Sequence, residues 1–261
     1  MPDQAVPLTL VIRPGAIGDA IVSLPAVEWL RPSEIWCPEQ NIPLFEHLAP
    51  ARSLYAEGLD QLTLSEATLR KLGRFGRIVS WYGAQREDFR RQVEGLPFEF
   101  HRALPPDSGA VHAVDYYLAQ VGASPGAAPQ LPFRAPGAGF AVIHPFSGSP
   151  RKNWPLERFR AVAEILSRRM PVFWCAGPEE ELPEAVRFPD LRGLARWLSA
   201  ASVYIGNDSG ISHLAAACGV PVVALFGPGN PQVWAPRGRV CVLPFETPPH
   251  DVAEAASRFA R

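Results

Sequence analysis

Lysine is nearly absent from this chain: of 25 basic residues only Lys71 and Lys152 are lysines, and the rest are arginines. Charge of one sign is missing too, because 25 basic against 26 acidic residues leave a net charge of −1. That excludes the basic footprint of a protein that grips nucleic acid. No apolar run approaches the roughly 20 residues that span a bilayer as a helix. The segment from Met1 to Pro7 has neither a basic n-region nor an apolar h-region, so the chain reads as cytoplasmic. No CxxC occurs, which excludes a zinc knuckle or a redox pair. The four cysteines, at 37, 175, 218 and 241, lie in or beside apolar stretches and are expected as small core side chains. GxGxxG and GxxxxGK are also absent, and with them the support for dinucleotide or P-loop binding.

What is present is a globular composition. The 261 residues are 47% hydrophobic and 20% charged, enough for a sizeable core and incompatible with wholesale disorder. The length fits one large domain or two of about 100–150 residues. The 29 prolines stiffen loops and keep helices short.

Short apolar runs alternate with amphipathic stretches along the chain. Strands are expected at Leu8–Arg13, Ile35–Cys37 and Arg77–Trp81, with helices at Asp19–Leu30, Pro43–Leu48, Gln85–Glu94 and Val111–Val121. After residues 122–139, rich in Gly, Ala and Pro and without periodicity, the alternation restarts. Strands follow at Phe140–His144, Val172–Cys175, Val203–Ile205, Val222–Phe226 and Arg239–Leu243. Helices follow at Leu156–Arg169, Ile211–Cys218 and Val252–Ala260, with an acidic helical turn after Cys175. This pattern predicts an α/β protein of two doubly wound domains, each with a parallel sheet covered on both faces. The predicted divisions are 1–125, a linker over 126–139, a second domain over 140–248 and a terminal helix over 249–261. The first 128 residues carry 11 basic and 15 acidic groups, the remainder 14 and 11, so the second domain is the one suited to an anion.

Four constellations carry chemistry. Arg13-Pro14-Gly15-Ala16-Ile17-Gly18-Asp19 follows the first strand, where open α/β sheets bind ligands. Its carboxylate, Asp19, is either a helix cap or a base. His144 to Pro155 is a strand end running into a Gly/Ser loop with Ser147, Gly148, Ser149, Arg151 and Lys152. Its hydroxyls and ammonium suit phosphate oxygens, and the alternative is a solvated loop anchored by Trp154. Gly206-Asn207-Asp208-Ser209-Gly210-Ile211-Ser212-His213 joins a strand to a helix, whose N-terminus favours an anion. Ser209 and His213 lack the G-x-S-x-G of a nucleophile elbow. Glu179-Glu180-Glu181 follows a strand and offers either a ribose-binding acid or a solvated helix start.

In this order the segments resemble glycosyltransferase family 9, the ADP-heptose:lipopolysaccharide heptosyltransferases. The matching stretches are LVIRPGAIGDAIVSLPAVEWLR, VIHPFSGSPRKNWPLERFRAVAEIL and YIGNDSGISHLAAACGVPVVALFGP, with HAVDYYLAQVG a fainter match. The resemblance implies the GT-B arrangement, two Rossmann-like domains facing a central cleft, with the last helix returning towards the first domain. It implies inverting transfer of a heptose-like sugar, without metal, from an ADP-linked donor to a glycan or glycolipid acceptor. Consistently, DxD and HExxH are absent. Residue by residue it implies Asp19 as the base, in an acceptor-side loop with Arg13, Gly15 and Gly18. Ser147, Gly148, Ser149, Lys152, Asp208, Ser209, Gly210 and His213 would hold the donor diphosphate. Glu179 or, one residue on, Glu180 would hold the ribose. No cofactor beyond the nucleotide-sugar is implied.

The chain departs from the family in three ways. Ser209 replaces a threonine, Gly229-Asn230 stands where a threonine–aspartate pair is common, and the acceptor domain is short. Two rival readings are a non-catalytic sugar-nucleotide-binding protein and a GT-B-like nucleotide-sugar epimerase. Finally, Arg70, Lys71, Arg74, Arg77, Arg86, Arg90 and Arg91 crowd one part of the first domain, interrupted by Glu87 and Asp88. They form either solvated helix faces or a peripheral contact with an anionic membrane surface.

Overall fold

A computed structural model of the chain describes residues 7–106 and 109–259. The expectations for Met1–Val6 and for the last two residues of the terminal helix lie outside these residues. The chain divides into two units, one of Met1–Ser108 with Val114–Pro125, the other of Gly109–Ala113 with Gly126–Arg261.

The first unit is built from β1 (Thr9–Ile12), α1 (Ile17–Leu30), β2 (Glu34–Cys37), α2 (Ile42–Phe45), β3 (Ala51–Ser53), α3 (Glu66–Leu72), β4 (Arg77–Ser80), α4 (Glu87–Gln92), β5 (Phe98–Phe100) and most of α5 (Ala113–Gln120). Its five strands are parallel in the order β3-β2-β1-β4-β5. The second unit contains β6 (Ala141–His144), α6 (Leu156–Ser167), β7 (Val172–Trp174), α7 (Leu191–Leu198), β8 (Val203–Asn207), α8 (Gly210–Ala217), β9 (Val222–Phe226), α9 (Pro231–Trp234), β10 (Val240–Pro244) and α10 (Pro249–Phe259). Its strands are parallel in the order β10-β9-β8-β6-β7. The expectation of two doubly wound parallel sheets holds.

The central strands β1, β6, β8 and β9 are buried along their whole length. Helices cover both faces of such strands, which is why they read as unbroken apolar runs. The edge strands β3 and β5 are three residues long and only partly buried. They carry no apolar run from which a strand could be expected. The topology also decides where ligands can go. Strand order reverses between β1 and β4 in one sheet and between β6 and β8 in the other, and such switch points open a crevice at the strand C-termini. The loops after β1, β6 and β8 are the three that carry the motifs.

The structure adds detail to the expected linker and corrects the acidic turn. Residues 126–139, expected as a linker, lie as a strap on the second unit. Leu131 and Phe133 are buried, Leu131 N donates to Ala217 O at 3.0 Å and Ala138 N to Ala200 O at 2.7 Å, and Arg134 bonds three carbonyls including Ala217 O. An extended strap bonded irregularly leaves no periodicity to read. The acidic stretch after β7 is a turn, not a helical turn, since Pro178 and Pro183 bracket it. Within the second unit, Val252, Ala253 and Ala256 of α10 are buried with Phe159, Val162 and Leu166 of α6 and with β8 and β9.

Val252→Ala should therefore destabilise the second unit by about 2 kcal/mol, as for loss of buried methyl groups with partial cavity collapse. Native-state hydrogen exchange should show protection falling in α6 and β8 while amides of β1 and β4 keep theirs. Equal losses in both units would contradict this placement of α10.

Candidate functional site

In the first unit the β1–α1 loop is shaped by two residues. Arg13 is buried, at 1% exposure. Its Nε donates to Ser23 Oγ at 2.8 Å, and its terminal nitrogens donate to Pro14 O at 2.9 Å and Asp19 O at 2.8 Å. The guanidinium also lies over the rings of Tyr117 and Trp81, 4.7 and 5.7 Å from their centroids. Arg13, expected to face an acceptor, is thus spent on holding the loop, because a buried guanidinium must satisfy its donors internally.

Asp19 is not the helix cap itself. It stands in the first turn of α1, which starts at Ile17, and its Oδ2 accepts the Ala16 N–H at 3.0 Å. This is the return half of a capping box, with alanine at the cap. The side chain stays partly exposed, and its second oxygen accepts no bond among the described residues. Gly15, at φ +109°, lets the carboxylate tuck in: a Cβ there would lie 2.8 Å from Asp19 Oδ2. Gly18 lies in the first turn of α1. Asn41, fully buried at the start of α2, donates from Nδ2 to Gly15 O at 3.0 Å and so fixes the loop from the other side. Nothing in the sequence singled it out.

In the second unit the loops after β6 and β8 meet. Asn207 ends β8 fully buried. Its Nδ2 donates to Pro145 O and its Oδ1 accepts the Trp154 N–H, both at 2.9 Å. The loop is closed further by Ser147 Oγ, which lies 2.7 Å from Ser149 O and from Asn153 Oδ1. Lys152, in a single 3-10 turn (Pro150–Lys152), brings Nζ to 2.6 Å from Asp208 Oδ2. The lysine side chain is 38% exposed and the aspartate 8%. A Cβ on Gly229 would collide with that Oδ2, so the departure at 229 makes room for Asp208, while Asn230 caps α9 by accepting the Gln232 N–H at 3.0 Å.

Ser209 is the N-cap of α8, its Oγ accepting the Ser212 N–H at 3.3 Å. The N–H groups of Gly210 and Ile211 precede any intrahelical partner and add to the positive end of the helix dipole. His213 is buried in the same turn. Burial pushes its pKa down to about 4, the charges of His112 and Lys152 push the same way, and a hydrogen bond to the Trp234 carbonyl opposes them. It is a neutral imidazole, not a cation. His112, which the sequence reading passed over, hangs on the next carbonyl, with Nε2 2.9 Å from Ala235 O. Ser147, Gly148, Ser149, Lys152, Asp208 and Ser209 thus lie on the two loops that Asn207 ties together, and Gly210 and His213 in the first turn of α8 that follows.

The acids after β7 differ from each other. Glu179 is exposed. Glu180 is half-buried, and its Oε2 lies 3.1 Å from His144 Nε2 and 2.5 Å from Gly177 N.

In the basic cluster Arg70 pairs with Glu66, Lys71 with Glu57, Arg77 with Glu99 and Arg86 with Asp88. Arg90 lies over the Phe100 ring. Four of the seven cations of the cluster thus have acidic partners within the fold. The described residues hold one group able to share a cation, His250, Asp251 and Glu254, exposed on α10, and Glu254 is already paired with Arg258. Burial pushes the thiols of Cys37, Cys175 and Cys218 up to about 12, as inert core residues. No helix of the described residues is long and apolar enough to cross a membrane.

The family model for glycosyltransferase family 9 (heptosyltransferase) matches residues 115–245, half of the chain. Lipopolysaccharide heptosyltransferase 1 of Pseudomonas aeruginosa is 32% identical over 197 residues, 70% of this chain and 50% of that one, so the match spans only half the length of that relative. Among solved structures, ADP-heptose lps heptosyltransferase II of E. coli superposes with a TM-score of 0.73 at 17% identity, covering 97% of this chain and 98% of the other. The E. coli heptosyltransferase WaaC with ADP gives a TM-score of 0.69 at 16% identity, covering 96% and 98%.

The neutral state of His213 has a consequence for stability. In the unfolded chain its imidazole titrates near 6.5, in the folded one near 4. As pH falls through that window the unfolded chain takes up a proton that the folded chain refuses, so stability is lost, by about 3 kcal/mol in all. His213→Gln, whose amide can still donate to the Trp234 carbonyl, should remove this component. Melting curves from pH 7 to 4.5 should then fall less steeply for the variant; parallel slopes would assign the acid sensitivity to other groups.

Proposed function

The chain belongs to glycosyltransferase family 9, and on that premise we propose that it is an inverting, metal-independent transferase moving a heptose-like sugar from an ADP-linked donor to a glycan or glycolipid acceptor. The observation that carries the reading is the convergence, at one switch point, of Lys152, Asp208 and the N-terminus of α8. A relative named for lipopolysaccharide heptosyl transfer, and a structural neighbour described with ADP, support the choice of sugar, acceptor and nucleotide.

The second unit would hold the donor. The first-turn N–H groups of Gly210 and Ile211 would receive the anion as a helix N-terminus does, beside the Ser209 hydroxyl, and Lys152 would supply the charge. When the diphosphate arrives, the ammonium is shared between it and Asp208, which leaves the aspartate to accept hydroxyls of the sugar. As the anomeric C–O bond breaks, negative charge grows on the leaving phosphate. Fixed dipoles and a lysine stabilise that charge without reorganising. The neutral His213 packs under this turn and adds no charge to it.

The first unit would supply the base. Asp19 has one oxygen occupied by the Ala16 N–H and the other available for an acceptor hydroxyl. That hydroxyl loses its proton to Asp19 as it attacks the anomeric carbon from the face opposite the diphosphate. This single displacement inverts the configuration and releases ADP. Binding a sugar nucleotide without turnover asks nothing of such a carboxylate, and an epimerase would turn the donor over without any acceptor. We place the reaction in the cytoplasm, with a lipid-borne acceptor presented at the inner face of the membrane.

Asp19→Asn keeps an oxygen to accept the Ala16 N–H, so the variant should melt as the wild type does. It cannot take the proton, and turnover in a single-turnover transfer assay should fall by about 10²–10⁴-fold, the usual contribution of a positioned base. Near-normal transfer by the folded variant would reduce Asp19 to its capping role.

For the donor, calorimetry should find ADP binding that survives excess EDTA. Lys152→Ala should weaken it by about 1.5–3 kcal/mol, as for loss of a charged hydrogen bond. Affinity that vanishes with EDTA would contradict metal independence, and an unchanged affinity in the variant would remove the lysine from the phosphates.

A further inference from the structure

His144 ends β6 with its ring 3% exposed, and the transfer reaction gives it no task. Its Nε2 lies 3.1 Å from Glu180 Oε2. Its Nδ1 is sealed from solvent and has no hydrogen-bond partner among the described residues. Orphaned buried N–H groups are rarer than under-satisfied acceptors, so a ring hydrogen belongs on Nε2, where it is donated to the carboxylate.

Glu180 is held in more than one place. The oxygen that faces His144 also accepts the Gly177 N–H at 2.5 Å, and Arg187 donates to the Glu180 carbonyl at 2.6 Å. Burial pushes the carboxyl up, but His144, the Gly177 N–H and Arg187 outweigh it and hold the group below the ordinary range. The result is an ionised carboxylate with Oε2 anchored and Oε1 unbonded, on a side chain 27% exposed. An anchored carboxylate has already lost the rotamer freedom that a loose one gives up on binding. Its neighbour Glu179 is exposed and has no such anchor.

We infer that His144 is a positioning residue for the ribose of the nucleotide: by clamping Oε2 of Glu180 it presents Oε1 to the vicinal hydroxyls and sets a preference for ribonucleotides over 2′-deoxyribonucleotides. The inference rests on the donor-binding reading above and names Glu180, not Glu179, as the ribose acid. It assigns the imidazole a task of specificity, separate from phosphate binding at Lys152 and Ser209.

The test is a comparison of ADP with 2′-deoxy-ADP by calorimetry on the full chain. The wild type should bind ADP about 10–100-fold tighter, the range for one hydrogen bond to a charged group. His144→Asn, whose amide falls short of the Nε2 position, and His144→Phe, which keeps the ring and loses the donor, should both bring that ratio to within about threefold, with 2′-deoxy-ADP affinity unchanged. His144→Gln, whose amide reaches the Nε2 position, should retain the preference, and Glu180→Gln should lose it. Whichever of the Asn and Phe variants still binds 2′-deoxy-ADP normally decides the matter, so one unfolded variant leaves the other in force. A full ratio in that variant, or no preference in the wild type, overturns the inference. Absence of ADP binding by the wild type would instead defeat the donor reading beneath it.

Discussion

The amide of Asn207 is fully buried at the end of β8, and both of its ends are used, Nδ2 on the Pro145 carbonyl and Oδ1 on the Trp154 N–H. Only an amide can donate and accept at once in this geometry; an aspartate would lose the donor and a leucine would orphan both backbone groups. Because Pro145 and Trp154 bracket the loop of Ser147 and Lys152, this one side chain sets where that loop lies relative to Asp208 and the start of α8. The 2.6 Å contact between Lys152 and Asp208 depends on it. So does Trp154, whose indole N–H reaches Phe245 O at 2.8 Å and whose ring carries the Arg158 guanidinium.

Arg13 serves the first unit in the same way. It is a cation with no acidic partner among the described residues, satisfied by two carbonyls, a hydroxyl and two aromatic faces. Burying it is expensive, and removing it would leave those acceptors unpaired. What it secures is the path of the chain from β1 into α1, and with it the turn in which Asp19 faces Ala16. In both units a fully satisfied polar side chain near the switch point shapes the loop, and the groups with chemistry to offer are its less buried neighbours.

Much of this was legible in the residues. The central strands were, because burial on both faces demands continuous apolar runs. The loops after β1, β6 and β8 were, because Gly, Ser and Asp cluster where a parallel strand hands over to a helix. The three-residue edges β3 and β5 were not, since an edge strand needs no apolar run. The strap over 126–139 was read as a linker because its order comes from isolated bonds to Ala217 and Ala200, which leave no period. The basic run from Arg70 to Arg91 looked like a charged patch because its partners Glu57 and Glu99 come from elsewhere in the chain.

By itself the sequence determined the class of fold, the order of the three motifs and the residue types at each, because periodicity and local composition are properties of neighbours along the chain. The division of labour within each motif was decided only by the tertiary structure. Arg13 turned inward because Ser23, Trp81 and Tyr117 surround it. His213 is neutral because it is buried beside other basic groups. Glu180, rather than Glu179, is anchored because His144 arrives from another strand. Hydrogen bonds and desolvation act between residues that the chain separates by tens of positions, and only the folded sheet order brings them within reach.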